Sequence, residues 1–260
     1  MPFTVIIPAR YASSRLPAKP LLSIADKPMI QHVCERAAAS QAERVIVATD
    51  DSRISTSVES FGAQVCMTRA DHATGTDRLQ EVVSQLGYAD DHIVVNVQGD
   101  EPLIPPQLIN QVADNLASNP TCAVATLATP IDNAAELFDP NVVKVVVGMQ
   151  GRALYFSRAP VPWDRDRFPN SFDAQAGSAP FWRHVGIYAY RVGLLHQFAT
   201  WPPSPLESCE KLEQLRILSQ GEAIHVEPAC TAPAPGVDTQ DDLEQVRALI
   251  RREGTDATVS

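Results

Sequence analysis

Short apolar runs alternate with amphipathic stretches through the first half of the chain. Val5–Ala9, Glu43–Thr49, Gln64–Met67, Ile93–Val97 and Cys122–Ala128 are rich in Val, Ile and Ala, and each reads as a strand. Between the first two, Pro28–Ala39 places Met29, Ile30, Val33 and Ala37 on one face at helical spacing. Further helices are expected from Asp51 or Ser52 to near Gly62, over Gly75–Leu86, and over Pro105–Ala117 with proline at its start. Apolar strands separated by helices predict an α/β fold in three layers, with a mostly parallel central sheet buried on both faces.

The second half is patterned differently. Val142–Val147 and Leu154–Ser157 read as a strand pair around Gln150 and Gly151. Residues 160–180 are rich in Pro, Asp, Arg and aromatics without periodicity, which suggests a loop insertion or an arm. His184–Arg191 is a strand, and Pro205–Gln220 reads as one helix with Leu206, Leu212, Leu215 and Leu218 toward the core. A strand at Ile224–Glu227 and a final helix at Asp241–Arg252 follow. The expected organisation is a single domain over residues 1–253, with an insertion at about 140–182 and a frayed tail at 254–260.

Composition narrows the partners. A chain of 260 residues, 45% hydrophobic, is long enough for one sizeable core. The net charge of −10 argues against a nucleic-acid partner, which would need a basic surface. No apolar run reaches ~18 residues, so no membrane span is expected. The N-terminus has no basic stretch followed by an apolar one, so no signal peptide is expected either. Cys34, Cys66, Cys122, Cys209 and Cys230 are scattered and form no CxxC pair. They read as reduced thiols of a cytoplasmic protein, mostly core filler.

Against this acidic background the loop after the first strand stands out. Arg10, Arg15 and Lys19 lie there with the hydroxyls of Ser13 and Ser14, and no acidic residue precedes Asp26. The loop lacks glycine, which excludes both GxxxxGK[ST] and GxGxxG phosphate loops. Open α/β sheets bind ligands at the C-terminal ends of their strands. A lone arginine is ordinarily a solvated surface cation. Three cations at one strand end point instead to a polyphosphate, gripped by arginine forks and a lysine point charge. Asp100, after the fourth strand, and Asp238, near the C-terminus, could converge beside those phosphates as a Mg²⁺ site. On sequence alone each is equally a turn or cap residue. Thr74 and Thr76 are candidate caps of the helix that follows them. A lone His184 is ordinarily structural. His72 lacks a second ligand at metal spacing and is read as structural.

These motifs match a known pattern. PARYASSRLPAKPL resembles the first motif of the sugar-activating nucleotidyltransferases, and within them the 3-deoxy-manno-octulosonate cytidylyltransferase family. Matching stretches are VIVATDD at 45–51, CMTRADHATGTDR at 66–78, VVNVQGDEP at 94–102, YFSRAPVPWDRD at 155–166, RHVGIYAYR at 183–191, PSPLESCEKLEQLR at 203–216 and GVDTQDDL at 236–243. The similarity covers nearly the whole chain. Ala18 departs from it, standing where the family commonly has glycine.

The resemblance implies a Rossmann-like nucleotidyltransferase fold with a smaller inserted region for dimerisation and sugar binding. It implies attack of a sugar hydroxyl on the α-phosphate of CTP, giving a CMP-sugar for lipopolysaccharide biosynthesis and releasing pyrophosphate. It assigns catalysis to Arg10, Lys19, Asp100 and Asp238, with Mg²⁺ held by Asp100 and Asp238. CTP would meet Pro8, Ala9, Arg10, Ser13, Arg15, Lys19, Ala70, Asp71, Thr74, Arg78, Gln98 and Asp100. The octulosonate would meet Arg10, Gln98, Arg158, His184, Tyr188, Glu213 and Gln214. A homodimer is implied as well, and Trp163 and Trp182, which bracket the insertion, suit an interface. An acylneuraminate cytidylyltransferase is the alternative. The first loop of that family resembles PARGGSKGIPxKN, whereas this chain has Tyr11 and Arg15-Leu16-Pro17.

Overall fold

The apolar run FTVIIPA forms β1 (Phe3–Ala9), and its side chains are buried on both sides of the sheet. The computed structural model describes residues 1–12, 16–72, 74–166, 168 and 181–256, with side chains to residue 251. After β1 come a 3-10 turn at Lys19–Leu21, a minimal hairpin of β2 (Ser23–Ile24) and β3 (Lys27–Pro28), and α1 (Met29–Ala38). Then follow β4 (Arg44–Thr49), α2 (Ser52–Ser60), β5 (Gln64–Met67), α3 (Gly75–Leu86), β6 (Ile93–Asn96), α4 (Pro106–Ser118) and β7 (Val124–Pro130). The second half contains α5 (Ala134–Phe138), β8 (Lys144–Val147), β9 (Ala153–Ser157), β10 (Trp182–Arg191), α6 (Val192–Phe198), α7 (Pro205–Glu210), α8 (Gln214–Ser219), β11 (Ile224–Pro228) and α9 (Gln240–Asp256).

The main sheet runs in the order β11-β7-β10-β6-β1-β4-β5. β1 pairs in parallel with β4 and β6, β4 with β5, and β11 with β7. β10 enters between β6 and β7, antiparallel to both. The β8–β9 hairpin joins through β8, which pairs with β10. Alternation along β1 divides the core. Val5 and Ile7 pack with Val33 of α1, Ile54 of α2 and Leu108 of α4. Ile6 packs on the other face with Leu79 of α3 and Leu195 of α6. Burial on both faces is what makes these strands continuously apolar.

A smaller cluster decides where the C-terminus goes. Leu16, Ile24 and Met29, next to the first loop, pack against Val237, Leu243 and Val246. Arg247 adds two bonds to the Ser23 carbonyl, at 3.0 and 2.6 Å. The Val237 N–H donates to the Asp100 carbonyl at 2.9 Å. The segment before α9 is thereby laid across the end of the sheet, beside the β1 loop. No helix among the described residues is long and apolar enough to cross a membrane.

The expected single helix over 205–220 is in fact two. Ser204 and Glu207 form a capping box that starts α7, and Lys211 takes a left-handed conformation (φ 55°) that ends it. The buried Glu207 carboxylate receives the Arg216 guanidinium in two bonds, 2.8 and 2.5 Å. The turn at Lys211 folds α8 back so that this pair can close. Leu206 is consequently exposed, while Leu212 and Leu215 are buried. Cys34, Cys66 and Cys122 are buried thiols, whereas Cys209 and Cys230 are exposed.

Ala18 also takes a left-handed conformation, with φ 56° and ψ 24°. For a residue with a Cβ this conformation costs about 1–2 kcal/mol. That cost gives a physical reason for glycine at this point of the motif. Ala18→Gly should raise unfolding stability by about 1 kcal/mol, read from the urea midpoint, because glycine's greater freedom in the unfolded chain cancels part of the gain. Arg216→Leu should lower stability by about 3–5 kcal/mol in the same measurement, because it strands the buried Glu207 carboxylate.

Candidate active site

Four segments meet at one end of the sheet around a cavity of about 370 Å³. Pro8, Ala9 and Arg10 arrive at the end of β1, Gln98, Gly99 and Asp100 after β6, Gly75 at the start of α3, and Asp238 before α9. A Cβ on Gly99 would come within 2.8 Å of the Pro8 carbonyl oxygen, so only glycine lets these two exits lie together. Lys19 fastens the group. Its Nζ donates to Asp100 Oδ2 at 2.7 Å, to Asp238 Oδ1 at 3.0 Å and to the Val237 carbonyl at 2.8 Å. Burial alone would lower the Lys19 pKa, but the two carboxylates outweigh it and hold the ammonium above its usual range.

The other predicted nucleotide residues separate. Arg10 Nη2 donates to the carbonyls of His72 (3.0 Å) and Thr74 (2.9 Å), joining the end of β1 to the approach of α3. Thr74 is the α3 cap, in a capping box with Asp77, and the Thr76 hydroxyl donates to Glu213 Oε2 at 2.8 Å. His72 bonds Glu81 and is structural. Ala70 and Asp71 lie exposed on the loop, where Asp71 pairs with Arg69 at 3.3 Å. Arg78 does not face the cavity. It is fully buried against Thr68 and Asp50, the latter at 3.2 Å. Ser13 and Arg15 lie outside the described residues.

A second cavity, of about 320 Å³, shares Gly75 and Gln98 with the first. Gln98, His184, Tyr188, Glu213 and Gln214, five of the residues grouped by the sequence resemblance, line it together. Arg158 does not. Its Nε donates to the Glu210 carbonyl at 2.7 Å and its Nη1 to the Pro140 carbonyl at 2.9 Å, so it braces the end of α7. Glu213 and Gln214, sequential residues at the start of α8, both reach the rim.

Asn96 and Glu101 also line this cavity and were not singled out in the sequence. Asn96 stands directly opposite Tyr188 in the β6–β10 ladder. The Asn96 Oδ1 and the Tyr188 hydroxyl are both buried, and neither has a hydrogen-bond partner among the described residues. Such orphaned groups cost free energy until a ligand or water completes them. The sequence signal was available, as a lone polar residue inside the apolar run VVNV. Burial, reinforced by the neighbouring Asp100, pushes the Glu101 carboxyl up to about 8. Glu213 is raised by burial, against the bonds from Thr76 and Thr74.

His184 packs edge-on to Phe156 and beside Tyr188. Its Nε2 lies 3.0 Å from Thr126 Oγ1. Burial, helped by Arg183, brings its pKa down to about 3, so the ring is neutral at physiological pH. The unfolded chain therefore binds a proton here that the folded protein refuses. This contribution to stability is present above about pH 6.5 and is lost as the pH falls toward 3. On going from pH 7 to pH 5, the urea midpoint should fall less in His184→Gln than in the wild type. Equal falls would contradict the assignment.

The chain is similar to known proteins over nearly its whole length. Residues 4–224 match the family model described as cytidylyltransferase. The chain is 60% identical to a 3-deoxy-manno-octulosonate cytidylyltransferase of Cellvibrio japonicus (strain Ueda107), across 96% of this chain and 98% of that one. It is 58% identical to the protein of the same description from Marinobacter nauticus (strain ATCC 700491 / DSM 11845 / VT8), across 98% and 99%. A solved structure of CMP:2-keto-3-deoxy-manno-octonic acid synthetase complexed with CTP superposes with a TM-score of 0.88 at 47% identity, covering 97% of this chain and all of that one. A cytidylyltransferase from Leptospira borgpetersenii serovar Hardjo-bovis (strain JB197), with a TM-score of 0.62 at 18% identity, shares the fold. With its α/β fold, mixed and mostly parallel sheet and near full-length match, the chain belongs to the cytidylyltransferase family.

Proposed function

We propose that the protein transfers CMP from CTP to 3-deoxy-manno-octulosonate and releases pyrophosphate. The observation that carries this reading is the pair of adjoining cavities. One is built on a knot of carboxylates and lysine, the other on unsatisfied polar groups, and they meet at Gly75 and Gln98. The triphosphate would occupy the first and the sugar the second. The sugar hydroxyl then attacks the α-phosphorus across the junction and gives up its proton to solvent, the bond from the α-phosphorus to the bridging oxygen breaks, and pyrophosphate leaves with that electron pair. No covalent enzyme intermediate is needed, and positioning and charge supply the rate. Arg10 orders the loop over the nucleotide and, with Lys19, opposes the phosphate charge. The orphaned Asn96 and Tyr188 atoms suit sugar hydroxyls, which both donate and accept. The CMP-sugar product would serve lipopolysaccharide biosynthesis.

Asp100 and Asp238 fit Mg²⁺. Their oxygens, with the Val237 carbonyl, already converge on one cation, and a hard divalent ion takes such oxygen ligands. Among the described residues no cluster of three or more His, Cys, Asp or Glu could hold a metal unaided, so phosphate oxygens and water would complete the shell. Bound there, Mg²⁺ would favour the ionised sugar hydroxyl and neutralise phosphate charge. With Mg²⁺ on the carboxylates, the Lys19 ammonium would be free to oppose the phosphate charge. The buried free thiols at Cys34, Cys66 and Cys122 support a reducing, cytoplasmic setting. Met149 and Leu154, exposed on the β8–β9 hairpin, support a homodimer.

Pyrophosphate release with CTP, UTP, ATP or GTP tests the reading, each paired with octulosonate or N-acetylneuraminate, with and without Mg²⁺. Release is expected only with CTP, octulosonate and Mg²⁺ together. Preferred release with N-acetylneuraminate would overturn the sugar assignment. Lys19→Ala should fold, because Asp238 is 53% exposed and water can take the place of the ammonium. It should turn over about 100-fold or more slowly.

A further inference from the structure

The second cavity poses a charge problem that the residues expected to recognise the sugar do not solve. An octulosonate carries a carboxylate, yet the His184 ring is neutral and the other expected residues that line the cavity, Gln98, Tyr188, Glu213 and Gln214, supply no positive charge. Of the two arginines expected to meet the sugar, Arg10 lines the adjoining cavity and bonds the carbonyls of His72 and Thr74, and Arg158 is committed to the carbonyls of Glu210 and Pro140, so neither lines this one. Among the described lining residues a single side chain is a fixed cation, and it is Lys211. Lys211 is exposed, and no ion pair or side-chain hydrogen bond engages its ammonium among the described residues.

The backbone gives a second, independent observation. Lys211 sits between α7 and α8 at φ 55° and ψ 46°, a conformation that glycine or asparagine adopts more readily. Its N–H closes α7 on the Glu207 carbonyl at 2.7 Å, a bond that any residue but proline could make. The local fold therefore requires nothing of the lysine side chain. Lys211 lines the cavity beside Glu213 and Gln214, and it also borders a neighbouring surface cavity with Pro203 and Ser208, so its long, exposed side chain is within reach of a ligand at this rim.

We propose that Lys211 is the residue that recognises the carboxylate of the sugar acid, and so makes the second cavity selective for acidic over neutral sugars. This rests on the octulosonate reading above. Lys211→Gly gives a direct test, because glycine is at ease in the left-handed conformation and the variant should melt no lower than the wild type. The KM for octulosonate should rise about tenfold or more, as for the loss of one charge-assisted bond, with the KM for CTP unchanged within twofold. Lys211→Arg should keep a KM close to that of the wild type. Raising the ionic strength should weaken octulosonate binding in the wild type more than in Lys211→Gly. An octulosonate KM within twofold of wild type in both Lys211→Gly and Lys211→Gln would overturn the proposal, as would an equal rise in the CTP KM. A wild-type protein that releases pyrophosphate only with a different sugar would overturn the functional reading, and this assignment with it.

Discussion

The ammonium of Lys19 between Asp100 and Asp238 is the contact on which the site depends. The two carboxylates lie 81 and 219 residues away along the chain, and without a cation they would repel each other across the end of the sheet. The apolar packing of Val237, Leu243 and Val246 brings the second carboxylate in, and Lys19 makes its arrival tolerable. The same balance defines what the site accepts. On the proposed reading, oxygen ligands already grouped around one positive charge are preorganised for another, and a triphosphate would complete what the protein leaves open.

Glycine and capping chemistry arrange the walls around that contact. Gly99 permits the exits of β1 and β6 to touch, and the Thr74–Asp77 box fixes where α3 begins, so that Gly75 stands between the two cavities. The Arg10 guanidinium spans from the end of β1 to the carbonyls of His72 and Thr74, tying the first cavity to the start of that helix. The bond from Thr76 to Glu213 then ties α3 to α8. The start of α3 is therefore joined to the walls of both cavities.

Burial sets the protonation of the second cavity. His184 is held neutral and the Glu101 carboxyl is raised, which keeps fixed charge low around Asn96 and Tyr188. Those two groups, paired across the ladder and unsatisfied, carry a cost of desolvation that a polyol ligand would relieve. On the proposed reading, a cavity so lined would read hydroxyl groups through Asn96 and Tyr188 and charge at its rim.

Local pattern was enough to reveal most of the scaffold. The β-branched runs at 44–49 and 93–96 and the capping signals at Asp51 and Thr74 act over a few residues, and they fix element type wherever they occur. The charged loop and the motif strings also marked Lys19, Asp100, Asp238, His184 and Tyr188 as site residues. Tertiary structure alone decided which of the marked groups face a cavity. Arg78 and Arg158 carry the same charge as Arg10, yet ion pairing with Asp50 buries one, and backbone carbonyls around α7 hold the other. The break at Lys211 likewise depends on a buried Arg216–Glu207 pair that closes only once α8 folds back on α7. Sequence periodicity records which side of an element is apolar. Where a charged side chain ends depends on the distant partners that packing brings to it, and those partners exist only in the folded chain.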